Sequence, residues 1–192
     1  MGFPKALLRD TEGQTFVARV AAALRLGGLS DIVVVTGRDH DAVTEALTST
    51  RGSLVPRIVR NEDPSRGQLS SLWTGLDACP ADTEAIAVTL VDVPMLAPST
   101  VSAVVDHWMR TRAPIVRPEY RGRRGHPVIF ACTLFDELRQ APLDAGARVV
   151  VSAHYQDIVN VPVEDPGCVE DVDTPEEYDR IRKQKAEDRR QG

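Results

Sequence analysis

The sequence is poor in cysteine, with three residues in a chain of 192. Cys79, Cys132 and Cys168 lie far apart, and no two of them form a Cys-x-x-Cys pair. This spacing argues against a disulfide framework and against a cysteine-rich structural zinc site. Free thiols are typical of a protein that works in a reducing cytoplasm, and that is the location we expect.

Long hydrophobic runs are also missing, and none approaches the roughly 20 apolar residues that a membrane-spanning helix needs. The first residues, Met1 to Lys5, carry no apolar signal region. Basic residues are outnumbered, because 23 Lys and Arg face 28 Asp and Glu, which gives a net charge of −5. We therefore expect neither nucleic acid nor a membrane as a partner.

The composition that is present, 42% hydrophobic and 27% charged, is typical of one globular domain with its own core. Runs rich in β-branched residues predict strands over 31–37, 55–59, 85–91, 114–117, 128–131 and 157–163. Helical periodicity predicts helices over 15–26, 41–47, 69–78, 99–109, 134–140, 145–153 and 175–185. Their alternation predicts an α/β domain over 1–180, with a mostly parallel sheet covered on both faces, followed by a polar tail over 181–192.

Two acidic segments follow predicted strands. Asp92 comes directly after the most apolar strand, and Pro94 stiffens its turn. Since ligands of open parallel sheets bind beyond the carboxyl ends of the strands, Asp92 is either a magnesium ligand or an aspartate that caps a turn. The second segment, 171–177, is explained by a helix start with Asp173 or Thr174 as N-cap, and alternatively by a second carboxylate for the same Mg²⁺.

A polar loop over 61–72 leads from a predicted strand into a helix. Gly67 allows a backbone to approach a ligand closely. Gln68, Ser70 and Ser71 place amide and hydroxyl groups at a helix N-terminus, where anions or a polar base are readily held. The alternative is a capped connection, but the length of the loop favours a function.

A basic segment over 117–127 stands out in this acidic chain, and it contains Arg123, Arg124, Gly125 and His126. Arginines on a glycine-punctuated loop predict a clamp for an anionic ligand, with a solvated hairpin loop as the alternative. Because a glycine and a proline flank His126, we do not expect a buried core histidine there.

Five segments, in this order, resemble motifs of the MobA-like nucleotidyltransferases, most closely the molybdenum cofactor cytidylyltransferases. They are MGFPKALL over 1–8, GQLSSL over 67–72, LVDVP over 90–94, RRGHPV over 123–128 and DVDTPEE over 171–177. The resemblance implies a Rossmann-like, three-layer domain that binds Mg²⁺ and CTP or another NTP. It implies transfer of the nucleoside monophosphate to a phosphorylated acceptor such as molybdopterin cofactor, with release of pyrophosphate.

The resemblance also implies roles for individual residues, and a molybdoenzyme or its maturation factor as a partner. Lys5 and Asp92 are the implied catalytic residues. The implied nucleotide-binding residues are Lys5, Gly67, Gln68, Ser70 and Ser71. The implied metal ligands are Asp92 and Asp173. The implied acceptor-binding residues are Arg123, Arg124, Gly125 and His126.

Members of this family carry a first strand and a Leu-Ala-Ala-Gly-x-Ser-x-Arg loop just before the Met-Gly-x-Pro-Lys segment. Because the numbering begins at that segment, we expect the first strand and the phosphate loop to be missing here, through a late start or as a short form with impaired catalysis. The alternatives to a nucleotidyltransferase are a non-catalytic cofactor-binding or carrier protein, a relative with a different acceptor, and a relative recruited to redox chemistry.

Overall fold

The computed structural model describes residues 4–49 and 55–180. The predicted tail over 181–192 and the end of the last predicted helix lie outside the described residues. The helices are α1 (Phe16–Leu26), α2 (His40–Thr48), α3 (Gln68–Asp77), α4 (Pro98–Thr111), α5 (Phe135–Gln140) and α6 (Arg148–Ala153). The strands are β1 (Val33–Thr36), β2 (Arg57–Arg60), β3 (Ala85–Val88), β4 (Ile115–Tyr120), β5 (Arg123–Arg124), β6 (Val128–Ala131) and β7 (Ile158–Pro162). Residues 175–180 are also helical.

The strands form two sheets. β1 and β2 pair in parallel, and the larger sheet has the order β3-β6-β4-β5, with β7 paired in parallel to β4. β6 runs antiparallel to both β3 and β4, because the connection between β4 and β6 is too short for the crossover that a parallel pair requires. The expected parallel arrangement therefore holds for β1–β2 and β4–β7, whereas the larger sheet is mixed.

One edge of β1 and one edge of β3 have no strand partner within the described residues. Both strands are apolar, with the sequences VVVT and AIAV, yet most of their side chains are only half-buried. The first four residues of β4 are buried, because β6 and β7 flank that strand and helices cover it.

Helices cover both faces of the strands. On one face α1 and α4 pack against β1 and the larger sheet through residues such as Leu24, Val101 and Val104. On the other face α3, α5 and α6 enclose Ile115 and Phe130. This arrangement confirms the α/β fold with helices on both faces. No helix within the described ranges is long and apolar enough to cross a lipid bilayer.

The basic segment over 117–127 is less of a loop than the sequence predicted. Its first residues continue β4 to Tyr120, and Arg123–Arg124 form β5. Arg117 is consequently buried in the sheet and not exposed on a loop. In place of one long loop, the structure has a short hairpin whose turn contains Arg121 and Gly122, both at positive φ.

Candidate active site

The two acidic segments lie side by side. The backbone amide of Val172 donates a 2.8 Å hydrogen bond to the carbonyl oxygen of Asp92. Val172 is fully buried and packs against Phe16 of α1, which fixes the segment in place. The backbone therefore holds the carboxylates of residues 171–173 next to the turn that follows β3.

A capping box begins the helix over 175–180. The Thr174 hydroxyl accepts a hydrogen bond from the Glu177 amide, and the Glu177 carboxylate accepts from the amides of Asp173 and Thr174. These two backbone donors hold the pKa of Glu177 below its usual value. Thr174, and not Asp173, is therefore the N-cap of this helix, and the Asp173 carboxylate takes no part in the capping.

Lys5, Asp92 and Asp173 meet at this point. The Lys5 ammonium forms an ion pair with the Asp173 carboxylate. The Oδ1 atom of Asp92 is fully enclosed and has no hydrogen-bond partner within the described residues. Burial raises the pKa of Asp92, nearby Asp173 and Asp171 raise it further, and Lys5 opposes them. Asp92 therefore carries an unsatisfied buried oxygen in an acidic setting.

The donor set fits a hard divalent cation. Mg²⁺ is commonly bound by one or two carboxylates together with substrate phosphates, and Asp92 and Asp173 supply the two carboxylates. The enclosed Oδ1 atom of Asp92 is an acceptor that a cation would satisfy. No cluster of three or more His, Cys, Asp or Glu side chains suited to a metal occurs in the described part of the chain. The remaining ligands would therefore come from a bound substrate.

Arg19 of α1 links the N-terminal segment to the turn that carries Asp92, a role that no local sequence pattern indicated. Its Nε donates to the carbonyl oxygen of Pro94 at 2.7 Å, and its Nη1 lies 2.7 Å from Oδ2 of Asp10. The Asp10 side chain is buried, so this ion pair is shielded from solvent. Removing Arg19 would leave the buried Asp10 carboxylate without its counter-ion next to the site.

Asn61 organises the loop that leads into α3. Its side-chain amide donates to the hydroxyls of Ser70 at 2.8 Å and Ser71 at 3.0 Å. The Ser70 hydroxyl is buried and also donates to the carbonyl oxygen of Gly67. Gly67 has a φ of +88°, which a glycine adopts readily, and its own position is exposed. The Ser70 side chain therefore holds the loop together, whereas Gln68 is exposed and Ser71 is half-buried.

A cavity of about 250 Å³ lies beyond the carboxyl ends of β1 and β2. Its lining comes from the residues after those strands and from the polar loop: Gly37, Arg38, Arg60, Asn61, Glu62, Asp63, Pro64 and Ser65. This is the edge at which α/β sheets bind ligands. Asn61 could have been identified from the sequence, because it directly follows the second strand.

The loop around His126 packs tightly against two other backbone segments. The His126 amide donates to the carbonyl oxygen of Cys168, and a Cβ on Gly125 would lie 2.5 Å from that same oxygen. A Cβ on Gly167 would collide with the carbonyl oxygen of Met95. Only glycine permits these two close approaches, which bring the loop, the turn at Pro166–Cys168 and the turn after Asp92 together.

His126 itself is half-buried, with its Nδ1 atom 3.4 Å from the carbonyl oxygen of Val88. Burial lowers the pKa of His126, although Asp92 and Asp171 oppose this effect. The imidazole is therefore neutral at pH 7 and stands near the acidic site. His126 is thus not a fully buried core residue, as expected from the sequence, and the close contact of Gly125 with Cys168 holds its segment in place.

Arg123 and Arg124 point to opposite sides of β5, since side chains alternate along a strand. The Arg123 guanidinium donates to the carbonyl oxygen of Val169 at 2.8 Å, so it holds the hairpin against the segment that contains Val169. The Arg124 guanidinium lies 5.6 Å from the ring centroid of Tyr155. The structure thus gives the two neighbouring arginines different surroundings.

Comparisons with known proteins agree with this arrangement. Residues 1–158 match the family described as the MobA-like NTP transferase domain. Nicotine blue oxidoreductase of Paenarthrobacter nicotinovorans is 34% identical over 187 residues, which cover 93% of this chain and 87% of that protein.

Solved structures show the same fold. The crystal structure of Rv0371c from Mycobacterium tuberculosis H37Rv has a TM-score of 0.80 at 28% identity and covers 95% of this chain and 90% of that chain. A structure of the same protein in complex with manganese has a TM-score of 0.78. Molybdopterin-guanine dinucleotide biosynthesis protein A of Archaeoglobus fulgidus has a TM-score of 0.68 at 16% identity and covers 97% of this chain and 92% of that chain. Because the family match covers most of the chain, this protein belongs to the MobA-like NTP transferase family of nucleotidyltransferases.

Proposed function

We propose that this protein is a metal-dependent nucleotidyltransferase that transfers a nucleoside monophosphate to a phosphorylated small-molecule acceptor and releases pyrophosphate. The observation that carries the proposal is the meeting of Lys5, Asp173 and the enclosed, unpartnered Oδ1 atom of Asp92. CTP and molybdopterin cofactor are the favoured substrates, on the resemblance of the sequence motifs. We expect the reaction to take place in the cytoplasm, since the three cysteines are free.

In the proposed reaction an oxygen of the acceptor phosphate attacks the α-phosphorus of the NTP. The new P–O bond forms as the bond from the α-phosphorus to the oxygen bridging to the β-phosphorus breaks, and the electron pair leaves with pyrophosphate. Such a transfer depends on in-line positioning and charge neutralisation more than on covalent catalysis. We therefore expect no nucleotidylated enzyme, and trapping one with labelled NTP would contradict this mechanism.

On the metal side, Asp92 and Asp173 would hold Mg²⁺ or Mn²⁺, and the ion would neutralise charge on the triphosphate. Lys5 then exchanges its partner: the ammonium leaves Asp173 and binds a phosphate oxygen of the NTP. The ion pair of the present structure keeps Lys5 within reach of that position. These three side chains thus bind and orient the reacting phosphates.

On the nucleotide side, the exposed Gln68 side chain, the half-buried Ser71 hydroxyl and the backbone of Gly67 face the base and ribose. Ser70 positions these groups through its bonds to Asn61 and Gly67. Each of these groups would contribute one hydrogen bond to a neutral polar group of the nucleotide, with a binding free energy of about 1 kcal/mol.

On the acceptor side, Gly125 lets the loop approach the bound molecule, and neutral His126 can accept or donate one hydrogen bond to it. Arg124 is better suited than Arg123 to bind an anionic group of the acceptor, because Arg123 already donates to the carbonyl oxygen of Val169. A molybdoenzyme or a maturation factor would then receive the product.

The test is a panel of CTP, GTP, ATP and UTP, with Mg²⁺ or Mn²⁺, assayed for pyrophosphate with and without molybdopterin cofactor. We expect release that requires the metal, is fastest with CTP and depends on the acceptor. No release with any nucleotide, combined with retained cofactor binding, would favour the non-catalytic carrier instead. Release that occurs only with another phosphorylated acceptor would replace molybdopterin and keep the reaction type.

A second candidate is a reductase, favoured by the 34% identity to nicotine blue oxidoreductase. A reductase needs a hydride donor, and a dihydronicotinamide dinucleotide would present nucleotide phosphates to the same site. The hydride and one proton would pass to a quinonoid acceptor, leaving the oxidised nicotinamide. Consumption of NADH with a quinonoid dye tests this reaction, and D92N separates the two candidates because hydride transfer does not need the metal-binding carboxylate.

A further inference from the structure

Arg117 is a buried cation in the middle of β4, with a relative exposure of 7%. Its Nε donates a 2.8 Å hydrogen bond to Oδ1 of Asn160, its neighbour on β7. A guanidinium has five N–H donors, so this bond satisfies one of them. Burying a charge is costly unless the charged group is paired and hydrogen-bonded. A buried arginine with a single hydrogen bond is therefore unusual in a sheet.

No carboxylate of the described residues forms an ion pair with Arg117. Glu119, two residues along on the same face of β4, favours its charge without coming within ion-pairing distance. Burial lowers the pKa of Arg117, and the nearby charge of Arg124, which stands opposite Glu119 on β5, lowers it further. Two arginines thus stand near each other, and neither makes an ion pair with a described residue. Such a pair gains most from an anion placed between them.

The tip of the Arg117 guanidinium is not fully enclosed. Its nitrogens are not among the fully enclosed, unpartnered polar atoms of the described chain. Arg124 stands opposite Glu119 on the neighbouring strand β5, and its Nη2 lies 3.4 Å from the Tyr155 hydroxyl. Tyr155 itself is 57% exposed, although it is a large aromatic residue. Two guanidinium groups and one exposed aromatic ring therefore lie close together beside β4 and β5.

We propose that Arg117, Arg124 and Tyr155 bind a planar aromatic anion, whose phosphate or carboxylate lies between the two guanidiniums while its ring stacks on Tyr155. As an assignment of substrate class, this rests on the proposed function, because Arg124 belongs to the proposed acceptor pocket. The site holds the part of the acceptor that does not react, and the reacting phosphate lies at Asp92. Arg117 then selects acceptors that combine a ring with an anionic group.

Binding is tested without nucleotide or metal, by calorimetric titration of the full chain with small probes. Phenyl phosphate and benzoate carry both the ring and an anion, inorganic phosphate carries only the anion, and benzyl alcohol carries only the ring. We expect phenyl phosphate or benzoate to bind more tightly than either partial probe. The stronger of the two identifies the anionic group as phosphate or carboxylate.

The variants separate the three side chains. R117M and R124M should each weaken binding of the stronger ring-bearing anion by about tenfold or more, since each removes a charged hydrogen-bond donor. Y155L should weaken that probe and leave inorganic phosphate unchanged. R110M is the control, because it removes an equal charge from an exposed position of α4 and should change nothing.

Equal affinity of the wild type and R124M for the ring-bearing anions would overturn the proposal, and so would failure of the wild type to bind them. If R117M does not fold, R124M and Y155L still decide the matter, because both residues are exposed. Pyrophosphate release is not part of this assay. Failure of the proposed transferase reaction would therefore leave a positive binding result standing, and the two failures are distinguishable.

Discussion

The ammonium of Lys5 and the carboxylate of Asp173 form an ion pair across 168 residues of sequence. The pair lies beside Asp92, whose pKa is raised chiefly by burial. Lys5 thus offsets part of the negative charge that Asp92 and Asp173 bring together. A metal and a triphosphate that enter the site would take over this neutralisation, which frees Lys5 for the substrate.

Replacing the buried carboxylate by D92N should lower pyrophosphate release by about 100-fold or more, because the enclosed metal ligand is lost. The unfolding temperature of the metal-free variant should not fall, since the change removes a buried charge next to Asp173 and Asp171. Thermal unfolding and Mn²⁺ titration measure the two effects. E176Q, at an exposed position, is the matched control. Full activity in D92N would contradict the metal role.

The two serines at the start of α3 should behave differently. S70A should lower the free energy of unfolding by about 1 kcal/mol, because the buried hydroxyl bonds to Asn61 and Gly67. S71A should stay within about 0.5 kcal/mol of the wild type. S71A should instead raise the KM for the nucleotide several-fold. Denaturant unfolding and steady-state kinetics separate the effects, and a KM change confined to S70A would reverse the assignment.

The close approach at Gly125 predicts a sharp steric effect. G125A should cost about 1–3 kcal/mol of stability, because the new methyl group meets the carbonyl oxygen and Sγ of Cys168. G75A in α3 is the control, since its nearest neighbour would be a Val35 methyl at 3.3 Å and alanine favours a helix. The comparison is made by thermal unfolding. Equal melting temperatures for the two variants would argue against the tight packing.

His126 predicts a pH dependence of stability. Its pKa in the folded protein is below the ordinary 6.5, so the unfolded chain takes up the proton more readily. The contribution of neutral His126 is therefore fully present above pH 6.5 and is lost as the pH falls toward its folded pKa. The wild type should lose stability relative to H126N between about pH 7 and about pH 5. NMR titration of the imidazole checks the direction of the shift.

The cysteines should differ in reactivity toward iodoacetamide. Burial raises the pKa of Cys168 to about 11, so its thiol is protonated at neutral pH and is also inaccessible. Cys132 is exposed and should be alkylated first. Peptide mapping of the labelled protein identifies the modified residue. Rapid labelling of Cys168 in the folded protein would show that the segment around it opens.

Local sequence patterns predicted the positions of most helices and strands. Where prediction and structure differ, the cause is the pairing of a strand with another strand. The helix predicted over 15–26 is found at Phe16–Leu26, because helical periodicity is a property of the segment itself. The strand predicted over 85–91 ends at Val88, because its partner β6 offers only four residues for pairing. The two-residue strand β5 was not predicted, since its existence depends on Tyr120 and Glu119 opposite it.

The site was predictable where it depends on strand ends. A second carboxylate beside Asp92 was one of two alternatives for the segment over 171–177, and the structure brings Asp173 close to Asp92 through Val172. Arg117 was not predictable as a buried residue, because its burial depends on β7, which lies about 40 residues further along the chain. Likewise, the inward position of His126 follows from contacts with Cys168 and Val88 that leave no local signal in the sequence.

Arg19 connects the two segments that would bind the triphosphate and the metal. Because one guanidinium holds both Asp10 and the carbonyl oxygen of Pro94, the segment that begins with Lys5 and the turn that carries Asp92 share a mechanical link. Ordering either segment restricts Arg19 and so favours order in the other. Triphosphate at Lys5 and cation at Asp92 should therefore bind with positive cooperativity, each raising the affinity for the other by the same factor.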